Sequence, residues 1–264
     1  MAKSSGFRFF LTAFSFRVYV RNPVSTVSKN LIIVPALNEE PTLAALLAKA
    51  RRCRPVDDIV VVDDGSQDRT SEIARSAGAI VLKHPVNLGY GASLQTGIKY
   101  ALSHGYPTAV FLDGDGQHEP EDIATLLAPV VSAECDVTIG SRFLSETRYR
   151  MRLLKWVGGR VFSLIVRALT SIPVTDPTSG ARALNRRAMR LYTLDGFPDE
   201  FPDANAIILY HRAGLRVKEV PVRMYPSTKR RPMHRGLNVV YYVFNVFFSI
   251  LIALLQEGPV IEKE

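Results

Sequence analysis

The chain has 264 residues, 47% apolar and 22% charged, a composition that excludes a disordered or fibrous polypeptide. Thirty-three Lys and Arg against 25 Asp and Glu give a net charge of +8, which favours contact with polyanions or an anionic membrane surface. The two cysteines, Cys53 and Cys135, are too few for a disulfide framework and lack zinc-site spacing, so the cytosol is the expected compartment.

Met1 to Asn38 carries no acid, and its five basic residues (Lys3, Arg8, Arg17, Arg21, Lys29) are interleaved with five phenylalanines. Residues 1–30 read as a basic N-terminal extension, for which a membrane-surface arm, a targeting-like leader and an over-early start codon all stay open. Beyond residue 30, short apolar runs alternate with helix-period segments. Leu31–Val34, Ile59–Val62, Ala79–Leu82, Ala109–Leu112 and Val137–Ile139 predict buried strands. Leu43, Leu46, Leu47 and Ala50 share one helical face, as do Leu94, Ile98, Ala101 and Leu102, and then Ile123, Leu126, Leu127 and Val130. Strand, helix, strand in repetition needs crossover connections. The predicted fold class is therefore α/β, an open, mostly parallel sheet with helices on both faces.

After Ser141 the pattern loosens. Leu154, Val157, Val161, Leu164, Ile165 and Ala168 predict a long amphipathic helix, followed by the loop Asp176-Pro-Thr-Ser-Gly180, a helix near Asp203–Arg212 and a strand over Val217–Val222. Arg142 to Arg160 holds six basic residues against Glu146 alone. Leu237 to Leu255 runs 19 residues without a formal charge. Asn238, Tyr242, Asn245 and Ser249 fall on one stripe of such a helix. Two readings stay open: an interfacial helix, with Lys229, Arg230, Arg231 and Arg235 against anionic lipid, or a buried terminal helix closing the core.

Ligands of such sheets gather where the strands end, at their carboxyl side. Asp113 and Asp115 leave the fourth apolar run with Gly114 between them and Gln117 two further on. Alternate residues of an extended turn point the same way, so two carboxylates and an amide oxygen can meet one hard cation, Mg2+ or Mn2+. A solvated Asp-Gly turn is the plain alternative. Asp63 and Asp64 end the second run before Gly65 and Ser66, where an acid can accept hydrogen bonds from a base or sugar, while Ser66 or Asp68 can cap the next helix. Asn87, Gly89 and Gly91 lack the third glycine of a dinucleotide fingerprint, and the chain has no Gly-Lys-Ser/Thr, so dehydrogenase and P-loop ATPase chemistry recede. Acids clustered where an anionic substrate should bind require a metal, and a pyrophosphate leaving group, as in nucleotide-sugar chemistry, fits.

Pro35 to Glu40, Val61 to Thr70, Asn87 to Ala92, Leu112 to Pro120, Gly140-Ser-Arg142 and Asp176 to Gly180 resemble, in order, the family 2 glycosyltransferases of GT-A fold. The closest branch is similar to the dolichyl- or polyprenyl-phosphate sugar synthases. The resemblance implies that Pro35, Ala36, Glu39, Asp63 and Asp64 hold the nucleoside, with Asn38, Gly65, Asn87, Gly91 and Gly114 completing the donor site. It implies that Asp113, Asp115 and Gln117 take the metal and diphosphate, and that Arg142, Ser179 and Arg182 lie on the acceptor side. Asp203 falls in a segment where relatives place acids, beside Asp199 and Glu200, and is the candidate base; capping of the following helix is its alternative. Members often carry an aromatic residue where Ala181 stands. The Gln-x-x-Arg-Trp motif of processive synthases and a pair of strong C-terminal membrane helices are missing, which points to single transfer. The five histidines show no paired metal spacing and are expected at the surface or in turns.

The expected activity is an inverting, metal-dependent transfer from a nucleotide-diphosphate sugar to a lipid-linked or cell-envelope glycan acceptor, at the inner face of a membrane. Residues 31–225 form the expected catalytic domain, and 226–264 a basic linker and apolar helix. A sugar-nucleotide pyrophosphorylase is the alternative enzyme, though Pro35–Glu40 is unlike its Gly-rich, Lys-containing loop. A basic nucleic-acid-binding protein is the non-enzyme alternative, and acids on the strand-end loops argue against a nucleic-acid partner. The base, the sugar and the oligomeric state, a homodimer included, stay open.

Overall fold

The structure, a computed structural model, describes residues 29–145, 153–198, 202–225 and 237–255, with side chains at 153–155 and 237–243 outside that set. The N-terminal extension up to residue 28, Arg148, Arg150, Arg152, Asp199, Glu200 and the basic run Lys229–Arg235 therefore lie outside the described residues, as do the side chains of Asn238 and Tyr242.

Strands β1 (Leu31–Ala36), β2 (Asp58–Asp63), β3 (Ile80–Lys83) and β4 (Thr108–Phe111) alternate with helices α1 (Glu40–Cys53), α2 (Thr70–Ser76) and α3 (Tyr90–Ser103). Then come α4 (Ile123–Val131), β5 (Val137–Ser141), α5 (Leu153–Thr170), β6 (Arg182–Asn185), α6 (Arg186–Leu191), α7 (Ala204–Arg212), β7 (Val217–Pro221) and α8 (Leu237–Leu255). The strands form one sheet in the order β3-β2-β1-β4-β6-β5-β7. All ladders are parallel except the two that β6 makes with β4 and β5.

Alternation along the strands separates two cores. Leu31, Ile33, Val60, Val62, Ala109 and Phe111 face α3, α6 and α7, whereas Ile32, Val34, Ile59, Val61, Val110 and Leu112 face α1 and α4. Both faces are covered, so the strands read as continuous apolar runs.

β6 and α6 were not expected. β6 reads Arg-Ala-Leu-Asn, and its polar ends hide it from a search for apolar runs. Ala181, where members often carry an aromatic residue, packs into the core against β5, where a Cβ on Gly140 would come within 3.0 Å of the Ala181 Cβ. α8 buries Val246, Ile250 and Ala253 beside α7, and Arg212 Nη1 donates to the Leu254 carbonyl at 2.7 Å. Its opposite face presents Phe244, Phe247, Phe248 and Leu251 to solvent, while Asn245 and Ser249 sit half-buried at the edge. Asn245 and Ser249 thus mark the border of the buried face, and the described outer face is apolar. Among the described residues no helix is long and apolar enough to cross a membrane.

Candidate active site

The sheet order reverses direction between β1 and β4, opening a crevice at their carboxyl ends. The chain packs tightly there. A Cβ on Gly114 would lie 2.9 Å from the Pro35 carbonyl and 3.3 Å from Glu39 Cγ, so only glycine lets the Asp113-Gly114-Asp115 turn sit against β1. Thr42 Oγ1 donates to the Gly114 carbonyl at 2.9 Å, tying α1 to the turn.

Asp113 stands between a tyrosine and a histidine. Tyr90 Oη donates to its Oδ1 at 2.9 Å, its own N–H donates to His118 Nδ1 at 3.3 Å, and His118 Nε2 lies 3.6 Å from Oδ2. Burial pushes the Asp113 carboxyl above the usual range, against the pull of His118. Burial and the nearby Asp113 charge push the Tyr90 phenol well above its ordinary value, so it is a donor at neutral pH. Asp115 accepts from Gln117 N at 3.0 Å and from the Gln117 side-chain amide. The turn closes on itself, and Gln117 braces Asp115 through its side-chain nitrogen.

Asn38 and Asp63 to Ser66 form an adjoining clamp. Asn38 has φ +54, a left-handed conformation that Asn tolerates; its N–H donates to Ser66 Oγ at 2.9 Å and its Oδ1 accepts from Gln67 N at 3.0 Å. Asp63, fully buried, accepts from Ser66 N at 2.8 Å and from Ser71 Oγ. Burial raises its pKa, but the Ser66 and Ser71 hydrogen bonds outweigh that and hold it below the usual range. Asp64 accepts from His84 Nδ1 at 2.7 Å, Leu88 N at 2.8 Å and Gly89 N at 2.9 Å, fixing the loop that opens α3, where Asn87 Oδ1 also accepts from Gly89 N at 3.0 Å. Gly65 has φ +78, and a Cβ there would lie 2.7 Å from the Val86 carbonyl carbon. Both aspartates therefore accept backbone N–H bonds, Asp63 within its own turn and Asp64 from the loop before α3. Asp68 accepts from Thr70 N at 3.0 Å at the start of α2 and from Glu40 N at 3.1 Å.

On the far side, Arg142 Nε donates to Asp176 Oδ2 at 2.6 Å. Asp176 is held in turn, because Glu219 of β7 accepts from Asp176 N at 2.7 Å and from Thr175 N at 2.9 Å. Arg182 is only 2% exposed. Its guanidinium donates to the carbonyls of Ser179 (3.1 Å), Pro202 (2.6 Å) and Asp203 (3.3 Å) and to Tyr210 Oη (3.2 Å). It lies beneath the loops at Pro177–Ser179 and Pro202–Asp203 and ties them together. Ser179 is fully buried, and Asp203 stands at the N-cap of α7 without making a side-chain cap bond. The sequence missed several parts of this arrangement: His84 and His118, both buried beside site acids, Glu219, and Tyr225, whose N–H donates to the Gln117 carbonyl at 2.9 Å. His118 stands five residues from Asp113; the other three meet their partners across longer stretches of chain, so no local spacing marks them.

Among the described residues no cage of three or more His, Cys, Asp and Glu side chains is present. Mg2+ and Mn2+ need less when substrate phosphates complete the shell, and two hard carboxylate donors on one turn fit them.

The pattern of the family described as "Glycosyl transferase family 2" matches residues 31–192. This chain belongs to glycosyl transferase family 2. The glycosyltransferase is 30% identical over 250 residues to a UDP-N-acetylglucosamine–dolichyl-phosphate N-acetylglucosaminyltransferase of Methanococcus voltae, covering 88% of this chain and 97% of the relative. It is 31% identical over 236 residues to a polyprenol monophosphomannose synthase of Mycolicibacterium smegmatis, covering 84% and 87%. In fold it is similar to glucosyl-3-phosphoglycerate synthase of Mycobacterium tuberculosis, with a TM-score of 0.66, 22% identity and coverage of 85% of this chain and 79% of that one. The GT-A architecture of the glycosyltransferase and its place beside the polyprenyl-phosphate sugar synthases follow.

Proposed function

We propose that this glycosyltransferase moves one sugar, with inversion, from a nucleoside-diphosphate sugar to a polyprenyl- or dolichyl-phosphate acceptor, with Mg2+ or Mn2+ held by Asp113 and Asp115. The observation that carries the reading is the pair of carboxylates on one turn at the β1/β4 crevice, with the Arg142–Asp176 pair across from it. Bound there, the cation would neutralise the departing diphosphate. The chain's own residues do the rest. The loops at Pro35–Glu39 and Asp63–Ser66, rigid through Asp63 and Asp64, form the bed for the nucleoside. Arg142, aimed by Asp176, attracts and orients a phosphate. A lipid phosphate is already an anionic nucleophile near neutral pH, so positioning dominates; Asp203 is the base only for a hydroxyl acceptor. In support, the Methanococcus voltae relative is a dolichyl-phosphate N-acetylglucosaminyltransferase, the Mycolicibacterium smegmatis relative makes polyprenol monophosphomannose, and the structural neighbour binds Mn2+, UDP-glucose and phosphoglyceric acid.

The same proposal places the enzyme peripherally at the cytoplasmic face of a membrane, with residues 31–225 as its catalytic domain. α5 supports this, with Trp156, Val157, Val161 and Leu164 exposed alongside Arg160 and Arg167, as does the outer apolar face of α8. The deciding experiment follows radiolabelled sugar into polyprenyl phosphate. Asp115→Ala should lower transfer by at least about a thousandfold without lowering the melting temperature, as should chelation of divalent ions from the wild type. Transfer retained in metal-free buffer would refute the mechanism.

A further inference from the structure

Tyr90 opens α3 between Gly89 and Gly91, and its ring reaches the crevice. Its hydroxyl donates to Asp113 Oδ1 at 2.9 Å. The contact is hemmed in by a third segment, because a Cβ on Gly180 would lie 2.8 Å from the Tyr90 hydroxyl and 3.1 Å from Asp113 Oδ2. The start of α3, the end of β4 and the loop before β6 thus meet at one carboxylate. A terminal carboxylate rotates through a broad, shallow well, so nothing within an aspartate fixes its plane. A cation site with two protein ligands depends on both being in place before the ion arrives, since any rotamer left free must be frozen on binding.

We propose that Tyr90 is a positioning residue for the cation site. Its hydroxyl holds the Asp113 carboxylate in one orientation, and the bare Cα of Gly180 keeps open the space where phenol and carboxylate meet. The inference rests on Asp113 and Asp115 as cation ligands. It goes beyond that assignment in giving the site a partner outside the Asp-Gly-Asp turn, and in making the loop that follows Asp176 a part of its geometry. Phenylalanine at position 90 would fill the same volume and lose only the donor, which separates positioning from packing.

The test uses the full chain and Mn2+, titrated with UDP or GDP present and no acceptor, with free Mn2+ read by electron paramagnetic resonance. Tyr90→Phe should weaken Mn2+ binding about tenfold, the size of effect expected when one hydrogen bond to a charged group is lost. Its far-UV circular dichroism should match the wild type, and saturating Mn2+ should restore turnover. Gly180→Ala should weaken Mn2+ binding in the same direction by crowding both groups. The Tyr90→Phe/Gly180→Ala double variant should lose less affinity than the two single losses combined, because the clash with the hydroxyl is gone and only the 3.1 Å approach to Asp113 Oδ2 remains. Unchanged Mn2+ affinity in Tyr90→Phe, a turnover defect that saturating metal does not repair, or additive losses in the double variant would each overturn the proposal. Wild-type protein that takes up no Mn2+ with either diphosphate would overturn the functional reading itself. Wild-type binding matched by equal binding in Tyr90→Phe would overturn only the role of Tyr90.

Discussion

Two aspartates in sequence, Asp63 and Asp64, do different work from the pair two residues apart, Asp113 and Asp115, and burial separates them. Asp63 is sealed among serine donors, whereas Asp113 keeps an edge toward the crevice, with 24% of its side chain exposed. The Asp63 carboxyl titrates below its unfolded value, so its stabilisation is complete above the ordinary aspartate range and disappears as the pH falls through the lower folded value. Asp63→Asn should therefore flatten the acid side of the stability curve below about pH 4 and cost about 1–3 kcal/mol at neutral pH, read from urea unfolding at several pH values. Asp176 acts on the opposite wall. Asp176→Asn removes the charge that aims Arg142, and the KM for lipid phosphate should rise at least about tenfold while donor KM stays near the wild-type value. Equal rises in both constants would mean that the pair merely supports the fold.

At the level of elements, β7 and the two exposed helices carry distinct tasks. Glu219 reaches from β7 to two backbone amides of the Thr175–Asp176 turn, and burial pushes its carboxyl above the usual range in spite of those donors. Glu219→Ala leaves both amides without this acceptor and should destabilise the protein by about 2–4 kcal/mol while raising acceptor KM, seen in parallel by thermal unfolding and kinetics. α5 and α8 can be tested without touching the core, because their outer residues project into solvent; deleting α8 would also remove Val246, Ile250 and Ala253 from the core. Leu164→Asp and Phe247→Asp should reduce co-sedimentation with anionic vesicles several-fold and leave the melting temperature within about 2 °C. Vesicle binding unchanged in both variants would remove these helices from the membrane reading.

For the molecule as a whole, the sequence was most readable where the physics is local. β1, β2 and β4 are buried on both faces and announce themselves as apolar runs, and the strand-end acids fall where open α/β sheets place their ligands. What stayed hidden depends on distant partners. Arg182 reads as an acceptor-side cation until its carbonyl acceptors at Pro202 and Asp203 arrive from the α7 side, and nothing near Glu219 in sequence marks the Thr175–Asp176 turn that it holds. The thiols report the same global packing. Cys135 is buried, with its pKa pushed up to about 11, whereas Cys53 is partly exposed. A thiol reagent at pH 8 should modify Cys53 in native protein and Cys135 only after unfolding. The reversed strand β6 has a consequence for biosynthesis. β4 ends at Phe111 and its neighbour begins at Arg182, so a nascent chain emerging from the ribosome carries a ready strand with one bare flank until the later segment is translated. Fragments that stop short of Arg182 should precipitate, or be caught by chaperones, while chains extended past Leu191 escape both fates.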